Sequence, residues 1–84
     1  MAQWDIALVL EQGVDFAVAS VQDHVIDNHH TAEGLVAALS VRLGRPAVLL
    51  GAQRHRLYGR QDIVRFLQSV DPARLPWRRM EIAS

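Results

Sequence analysis

Arginines interleaved with aromatic rings make the segment around residue 56 the part of this chain best suited to binding chemistry. One such stretch lies between residues 54 and 60 and a second near residue 78, and their candidate residues are Arg54, His55, Arg56, Tyr58, Arg60, Trp77, Arg78 and Arg79. Guanidinium groups bind carboxylates and phosphates, and aromatic rings can stack on bases. The set predicts a docking surface for a protein or for nucleic acid. A solvated turn and edge strand would explain it equally well.

The charge of the chain is divided between its two halves, although the net charge is zero. Residues 1–41 hold six acidic residues and no lysine or arginine, whereas residues 42–84 hold nine arginines and three acidic residues. Halves of opposite sign predict ion pairs within one molecule or between identical subunits. Pairing of the arginines with Asp15, Asp23 or Glu33 would favour scaffolding, whereas convergence on one open face would favour a partner.

Histidines and aspartates in the middle of the acidic half have the atom types that ligate divalent metals. The weak candidates are His24, His29 and His30, with Asp23 and Asp27 nearby. Their spacing fits no established zinc motif, and neighbouring histidines rarely point at one ion. We therefore expect no metal and no cofactor. Asp23, His24 and Arg54 are the candidates for a small enzyme, because loops at strand ends often carry active sites.

These side chains need a scaffold, and the first two elements are predicted to be an antiparallel pair of strands. Residues 4–10 alternate in polarity as a half-buried strand does, and a helix ending at Gly13 is the competing interpretation. Gln12 and Gly13 then form a tight turn into a second apolar run at residues 14–21.

The strand that presents the arginines is predicted at Ala47–Gly51. Its first four residues are apolar and follow Pro46, which is typical of a strand covered on both faces. We expect it at the centre of the sheet, with the arginine-rich turn held out in water. Leu57 and Tyr58 then return antiparallel to it.

Apolar residues at helical spacing predict two helices. Asn28 or Thr31 can cap the first, and Gly44 suits its left-handed C-terminal position. The second has Asp62 in its first turn and is stopped at Pro72. The inward-facing residues of the first are Ala32, Leu35, Val36, Leu39 and Leu43, and those of the second are Ile63, Phe66, Leu67 and Val70. We expect both helices on one face of the sheet.

The predicted order is β-β-α-β-β-α-β, with residues 77–82 as an edge strand whose arginines discourage pairing with other edges. This is a single α/β domain of the α+β two-layer type over residues 1–84, with a mixed sheet of four to five strands. Its strand, helix, strand, strand, helix portion, with Pro46 heading the buried strand, is similar to the later half of a thioredoxin-like fold. That resemblance is topological and covers about half of the chain. It implies no redox activity, because the cysteine motif of that family is missing.

The expected function is a non-enzymatic interaction module. It forms a homo-oligomer, or docks on another protein, through the Arg54–Arg60 turn and the Trp77 segment, and nucleic-acid binding by the same arginines is the alternative. A tryptophan near each end of the chain suits a dimer contact. The first ten residues lack the positive region of a signal peptide and fit no membrane span. We therefore expect a bacterial-type cytoplasmic protein that does not contact the membrane.

Overall fold

A computed structural model describes residues 2–11 and 13–82 of the chain, which form a five-stranded mixed sheet with helices. The elements, in chain order, are β1 (Ala2–Glu11), β2 (Val14–Val21), α1 (Asp23–Asp27), α2 (His29–Leu43), β3 (Ala47–Gly51), β4 (Leu57–Tyr58), α3 (Gln61–Leu67), a 3-10 turn (Pro72–Arg74) and β5 (Trp77–Ile82). The predicted α+β class, with a mixed sheet and two main helices, is confirmed. The short helix α1 follows the end of β2, where Asp23 and His24 are expected to lie in a loop.

The strands lie in the order β4-β3-β2-β1-β5 across the sheet. β1 pairs antiparallel with both β2 and β5, β2 pairs parallel with β3, and β3 pairs antiparallel with β4. The predicted hairpin and the predicted edge strand are therefore confirmed, and residues 4–10 are strand rather than helix. Gly13 adopts a φ of 77° in the hairpin turn, whereas Gln12 lies outside the described residues.

The expectation that β3 is the central strand is wrong, because β2 occupies that place. β3 is second from the edge, and its outer neighbour β4 has only two residues. All five residues of β3 are nevertheless buried. An unbroken apolar run reports that both faces of a strand are covered, and it does not report how many strands lie on either side.

The two main helices pack on opposite faces, so the expectation of one covered face and two layers is wrong. Ala17, Ala19 and Leu49 pack with α2, whereas Phe16, Val18 and Val48 pack with α3. Successive strand residues point to opposite faces. Because β2 and β3 are apolar at nearly every position, each face needs a helix to cover it. We call the two sides of the sheet the α2 face and the α3 face.

Helix α2 is delimited by the signals expected from its sequence. The Asn28 side chain accepts a hydrogen bond from the backbone N–H of Thr31 at 3.1 Å, and Gly44 is left-handed with a φ of 66°. The Ser40 hydroxyl donates to the carbonyl of Val36 at 2.7 Å and accepts from the N–H of Ala47 at 3.1 Å. This serine joins the end of α2 to the first residue of β3, which fixes where the buried strand begins.

Candidate interaction surfaces

The arginine-rich turn connects β3 to β4 and projects into water, as predicted. Arg54, His55 and Arg56 are all exposed. The N–H of His55 donates to the carbonyl of Gly51 at 3.0 Å, and the N–H of Gly51 donates to the carbonyl of Arg56 at 2.8 Å. His55 has a φ of 57°, a conformation that histidine adopts more readily than most residues. The turn is therefore closed by reciprocal backbone bonds.

Two aspartates of α1 hold this turn from outside. The Asp23 carboxylate accepts the backbone N–H groups of Gln53 and Arg54 at 3.3 to 3.4 Å, and Asp27 pairs with the Arg56 guanidinium. A Cβ atom on Gly51 would collide with the Asp23 carboxylate, so a side chain at the last position of β3 would displace this carboxylate. The acidic half of the chain therefore organises the turn of the basic half.

This arrangement bears on the small-enzyme alternative. The enzyme needs Asp23, His24 and the Arg54 side chain to converge, and within residues 2–11 and 13–82 no hydrogen bond joins them. Both oxygens of the Asp23 carboxylate instead face backbone amides of the turn. The role that the contacts assign to Asp23 is positioning of the turn.

Ion pairs join the two halves of the chain within one molecule. Arg45 pairs with Asp15 at 2.8 Å and Arg79 with Asp5 at 3.3 Å, in addition to the Arg56 pair. Arg60 pairs with Asp62 of its own half at 2.8 Å. In the described part of the chain, Arg54 and Arg78 take part in none of these pairs. Each pair is partly exposed and contributes about 0 to 1 kcal/mol.

The eight predicted binding residues do not form one patch. The first stretch includes β4 at one edge of the sheet, whereas the second begins β5 at the opposite edge. Arg78 lies opposite Ile6 and Arg79 opposite Asp5 in the pairing of β5 with β1. Neighbouring residues of a strand point to opposite faces, so these two arginines cannot act on one surface.

One residue from each stretch lines the same groove, of about 460 Å³, on the α3 face. His55 of the turn and Trp77 of β5 line it, together with Asp5, Ser20 and Asp71. Trp77 is half-buried, packs against the core on this face and donates its indole N–H to the carbonyl of Pro72 at 2.8 Å. It therefore anchors the 3-10 turn, and its ring is not a free binding platform.

Tyr58 and Arg60 line a second groove, of about 370 Å³, between β4 and helices α2 and α3. The Tyr58 hydroxyl lies 3.0 Å from Nδ1 of His29, and Nε2 of His29 lies 3.4 Å from Glu33. One metal candidate, His29, thus already has two side-chain partners. Over the residues that the structure describes, no three His, Asp or Glu side chains gather as ligands for one ion.

The open side of β5 is the surface that the sequence pattern indicated least clearly. β5 is a six-residue edge strand, and no described strand pairs with its outer side. On the α2 face, β1 and β5 carry only apolar side chains apart from Arg78, and these are Trp4, Ile6, Leu8, Leu10, Met80 and Ile82. On the α3 face the outer part of this half is polar, with Gln3, Asp5, Arg79 and Glu81.

Helices cover this half of the sheet less than the other half. On the α2 face, α1 and α2 make their main contacts with β3. Ile6 is fully buried, but Trp4, Leu8, Met80 and Ile82 are only half-buried and Leu10 is 70% exposed. The alternation of apolar residues in both strands was the available signal. These residues form one surface because β5 pairs with β1, and the sequence pattern does not report that pairing.

No helix in the described part of the chain is long and apolar enough to cross a membrane. Comparison of the chain with family models, with curated proteins and with solved structures finds no match. The likeness to the later half of a thioredoxin-like fold therefore stays a prediction.

Proposed function

We propose that this chain is a protein-interaction module that associates with a second copy of itself through the β5 edge. The observation that carries the proposal is a six-residue edge strand with no described strand on its outer side, next to a half-exposed apolar row. The outward N–H and C=O groups of an edge strand readily pair with another strand. Apolar side chains beside that pairing would be removed from water on association, which favours the dimer.

The arginine-rich turn supports a docking role less well than β5 does. The Arg56 guanidinium already has a carboxylate partner in Asp27, and two backbone amides of the turn point at Asp23. The other polar residues of the turn, Gln53, Arg54 and His55, are exposed, so a partner there would gain exposed ion pairs worth about 0 to 1 kcal/mol each. The turn stays the second candidate for docking on a protein, since Arg54 and His55 are exposed.

Nucleic-acid binding is supported less again. Affinity for a phosphate backbone grows with the number of cations that contact it together. Here the predicted arginines divide between opposite edges of the sheet, and Arg56, Arg60 and Arg79 each face a carboxylate.

We propose the cytoplasm as the location of the module.

Hydrogen exchange at two protein concentrations, with sedimentation velocity in parallel, tests the proposal. We expect the sedimentation coefficient to rise with concentration, and amides within residues 77–82 to gain protection at the higher concentration. Amides within residues 52–60 serve as the internal control and should exchange at the same rate in both samples. If residues 52–60 gain protection and residues 77–82 do not, the chain associates through the arginine-rich turn and not through β5. A protein that stays monomeric at every concentration up to about 1 mM would reject self-association, because its dissociation constant would then exceed about 1 mM.

A further inference from the structure

The side chains of β5 restrict how two copies of the strand could pair. The proposed function supplies the premise that β5 pairs with itself, and the inference below rests on it. Most homodimers have a twofold axis, so that each residue contact occurs twice. For two edge strands that continue one antiparallel sheet, this axis must be perpendicular to the sheet. Residues that face each other then come from the same face, and one residue of β5 lies on the axis.

Charge excludes most positions of the axis. Centring the pair on Arg78 or on Arg79 places two identical guanidinium groups directly opposite each other, and centring it on Glu81 does the same with two carboxylates. Like charges directly opposite one another destabilise a strand pair. Centring on Trp77 or Ile82 would leave only one residue of each β5 opposite the β5 of the other copy, because those residues end the strand.

Met80 is the one remaining centre, and it gives complementary contacts. Each Met80 would face the other across the axis, on the apolar α2 face. Arg79 would lie opposite the partner's Glu81, and Glu81 opposite the partner's Arg79, both on the α3 face. Arg78 would lie opposite the partner's Ile82 and needs no charged partner there. The half-buried Met80 and Ile82 of the two copies would form one continuous apolar surface.

Arg79 is placed to serve both its own chain and a partner. Its Nε lies 3.3 Å from Asp5, and one terminal nitrogen lies 3.3 Å from Gln3, both on the adjacent strand β1. The side chain is 66% exposed. A guanidinium has five N–H donors, so contact with β1 leaves donors for a second carboxylate.

We infer that two copies of this chain pair antiparallel through β5, with Met80 on the twofold axis and reciprocal ion pairs between Arg79 and Glu81. The product is one sheet of ten strands, five from each copy. In this register the arginines of the edge strand do not simply discourage pairing. They exclude the two registers centred on Arg78 and on Arg79.

Charge reversal tests this register directly. In the Arg79→Glu variant, each of the two contacts between positions 79 and 81 places two acidic residues opposite each other. In the Glu81→Arg variant, each of them places two basic residues opposite each other. We expect each variant alone to raise the dimer dissociation constant about tenfold or more, measured by sedimentation equilibrium. Equal amounts of the two variants should form a heterodimer, because both contacts then join opposite charges. The double variant Arg79→Glu/Glu81→Arg should recover the wild-type dissociation constant.

Arg78→Glu is the matched control, since it reverses a neighbouring exposed arginine that faces no charge in this register. We expect it to change the dissociation constant less than about threefold. If Arg78→Glu weakens the dimer as much as Arg79→Glu, or if mixing the two single variants restores nothing, the register is wrong. Concentration-dependent protection of residues 77–82 would then still support self-association through β5. Without that protection, the proposed function itself fails.

A cysteine cross-link gives a second readout that does not depend on charge. The chain contains no cysteine, so an introduced thiol is the only one. In the proposed dimer the two residues at position 80 of Met80→Cys chains lie directly opposite each other. Their Cα atoms are about 4.5 to 5.5 Å apart, which permits a disulfide between the thiols. Two Ile82→Cys chains place their thiols about 13 Å apart along the strands, although the residue lies on the same face. We expect rapid oxidation to a dimer for Met80→Cys alone, and equal rates for both would contradict the register.

Discussion

The two edges of this sheet are built in opposite ways. At the β4 edge a two-residue strand is flanked by α2 and α3, and the turn before it is tied to two aspartates of α1. At the β5 edge a six-residue strand has no described neighbour on its outer side, and its apolar face is half-exposed. The first edge is covered by helices of the same chain, whereas the second leaves the hydrogen-bonding groups of a long strand without a described partner.

The comparison also separates two uses of arginine. Arg56 at the closed edge pairs with an aspartate of the acidic half, and so links segments distant in sequence. Arg79 at the open edge pairs with its own β1 and also extends towards solvent. A charge asymmetry between halves of a chain is thus resolved inside the molecule at one edge. At the other edge we propose that Arg79 and Glu81, which both belong to the basic half, select a partner.

The largest expected effect concerns packing in the two halves of the sheet. Leu49 in β3 is fully buried, whereas Met80 in β5 is half-buried. We expect Leu49→Ala to lower the free energy of unfolding by about 3 kcal/mol, because it leaves a cavity that its neighbours cannot fill. Met80→Ala should cost about 1 kcal/mol in dilute solution, since its site is already partly hydrated. Urea denaturation at micromolar protein concentration measures both.

A loss from Met80→Ala equal to that from Leu49→Ala would break the comparison, because β5 would then be packed as tightly as β3. The same denaturation repeated at higher protein concentration adds a second check. Association stabilises the folded state in proportion to the logarithm of concentration. The midpoint of the wild type should therefore rise with concentration, and that of Met80→Ala should rise less.

Much of the scaffold was predictable because its signals are local. The Asn28 cap, the Gly44 terminus, the hairpin and the strands all depend on residues close in sequence, and each was confirmed. The placement of helices on opposite faces depends on which strands are neighbours, which no local pattern reports. The same reason explains the predicted arginine set. Residues 54–60 and 77–79 are similar in composition, but the strand order places them at opposite edges.

The next largest effect tests whether Asp23 closes the β4 edge. Gly51→Ala would bring a Cβ into the Asp23 carboxylate and force it away from the amides of Gln53 and Arg54. We expect a loss of about 0.5 to 1.5 kcal/mol, the net contribution of a hydrogen bond, because water can hydrate these exposed amides. Asp23→Ala should cost about 1 kcal/mol by removing the same bonds.

A double-mutant cycle distinguishes this mechanism from two independent losses. In the Asp23→Ala background the carboxylate is gone, so Gly51→Ala should cost almost nothing more. Residues that share one contact are non-additive in this way. Additive losses in urea denaturation would show that the carboxylate does not position the turn. The β4 edge would then be closed by its helices alone.

The smallest effects are those of the ion pairs, and they separate the two edges most finely. In dilute solution Arg56→Gln and Arg79→Gln each remove one partly exposed pair, so each should cost only a few tenths of a kcal/mol. Both losses should shrink at 1 M salt, where the screening length is about 3 Å.

At concentrations where the chain associates, the two variants should diverge. Arg79→Gln also loses the contact with the partner's Glu81, so its effect should grow with protein concentration, whereas that of Arg56→Gln should not. Thermal denaturation over a hundredfold range of concentration measures the difference. Parallel behaviour of the two variants over that range would mean that arginine serves the same internal purpose at both edges.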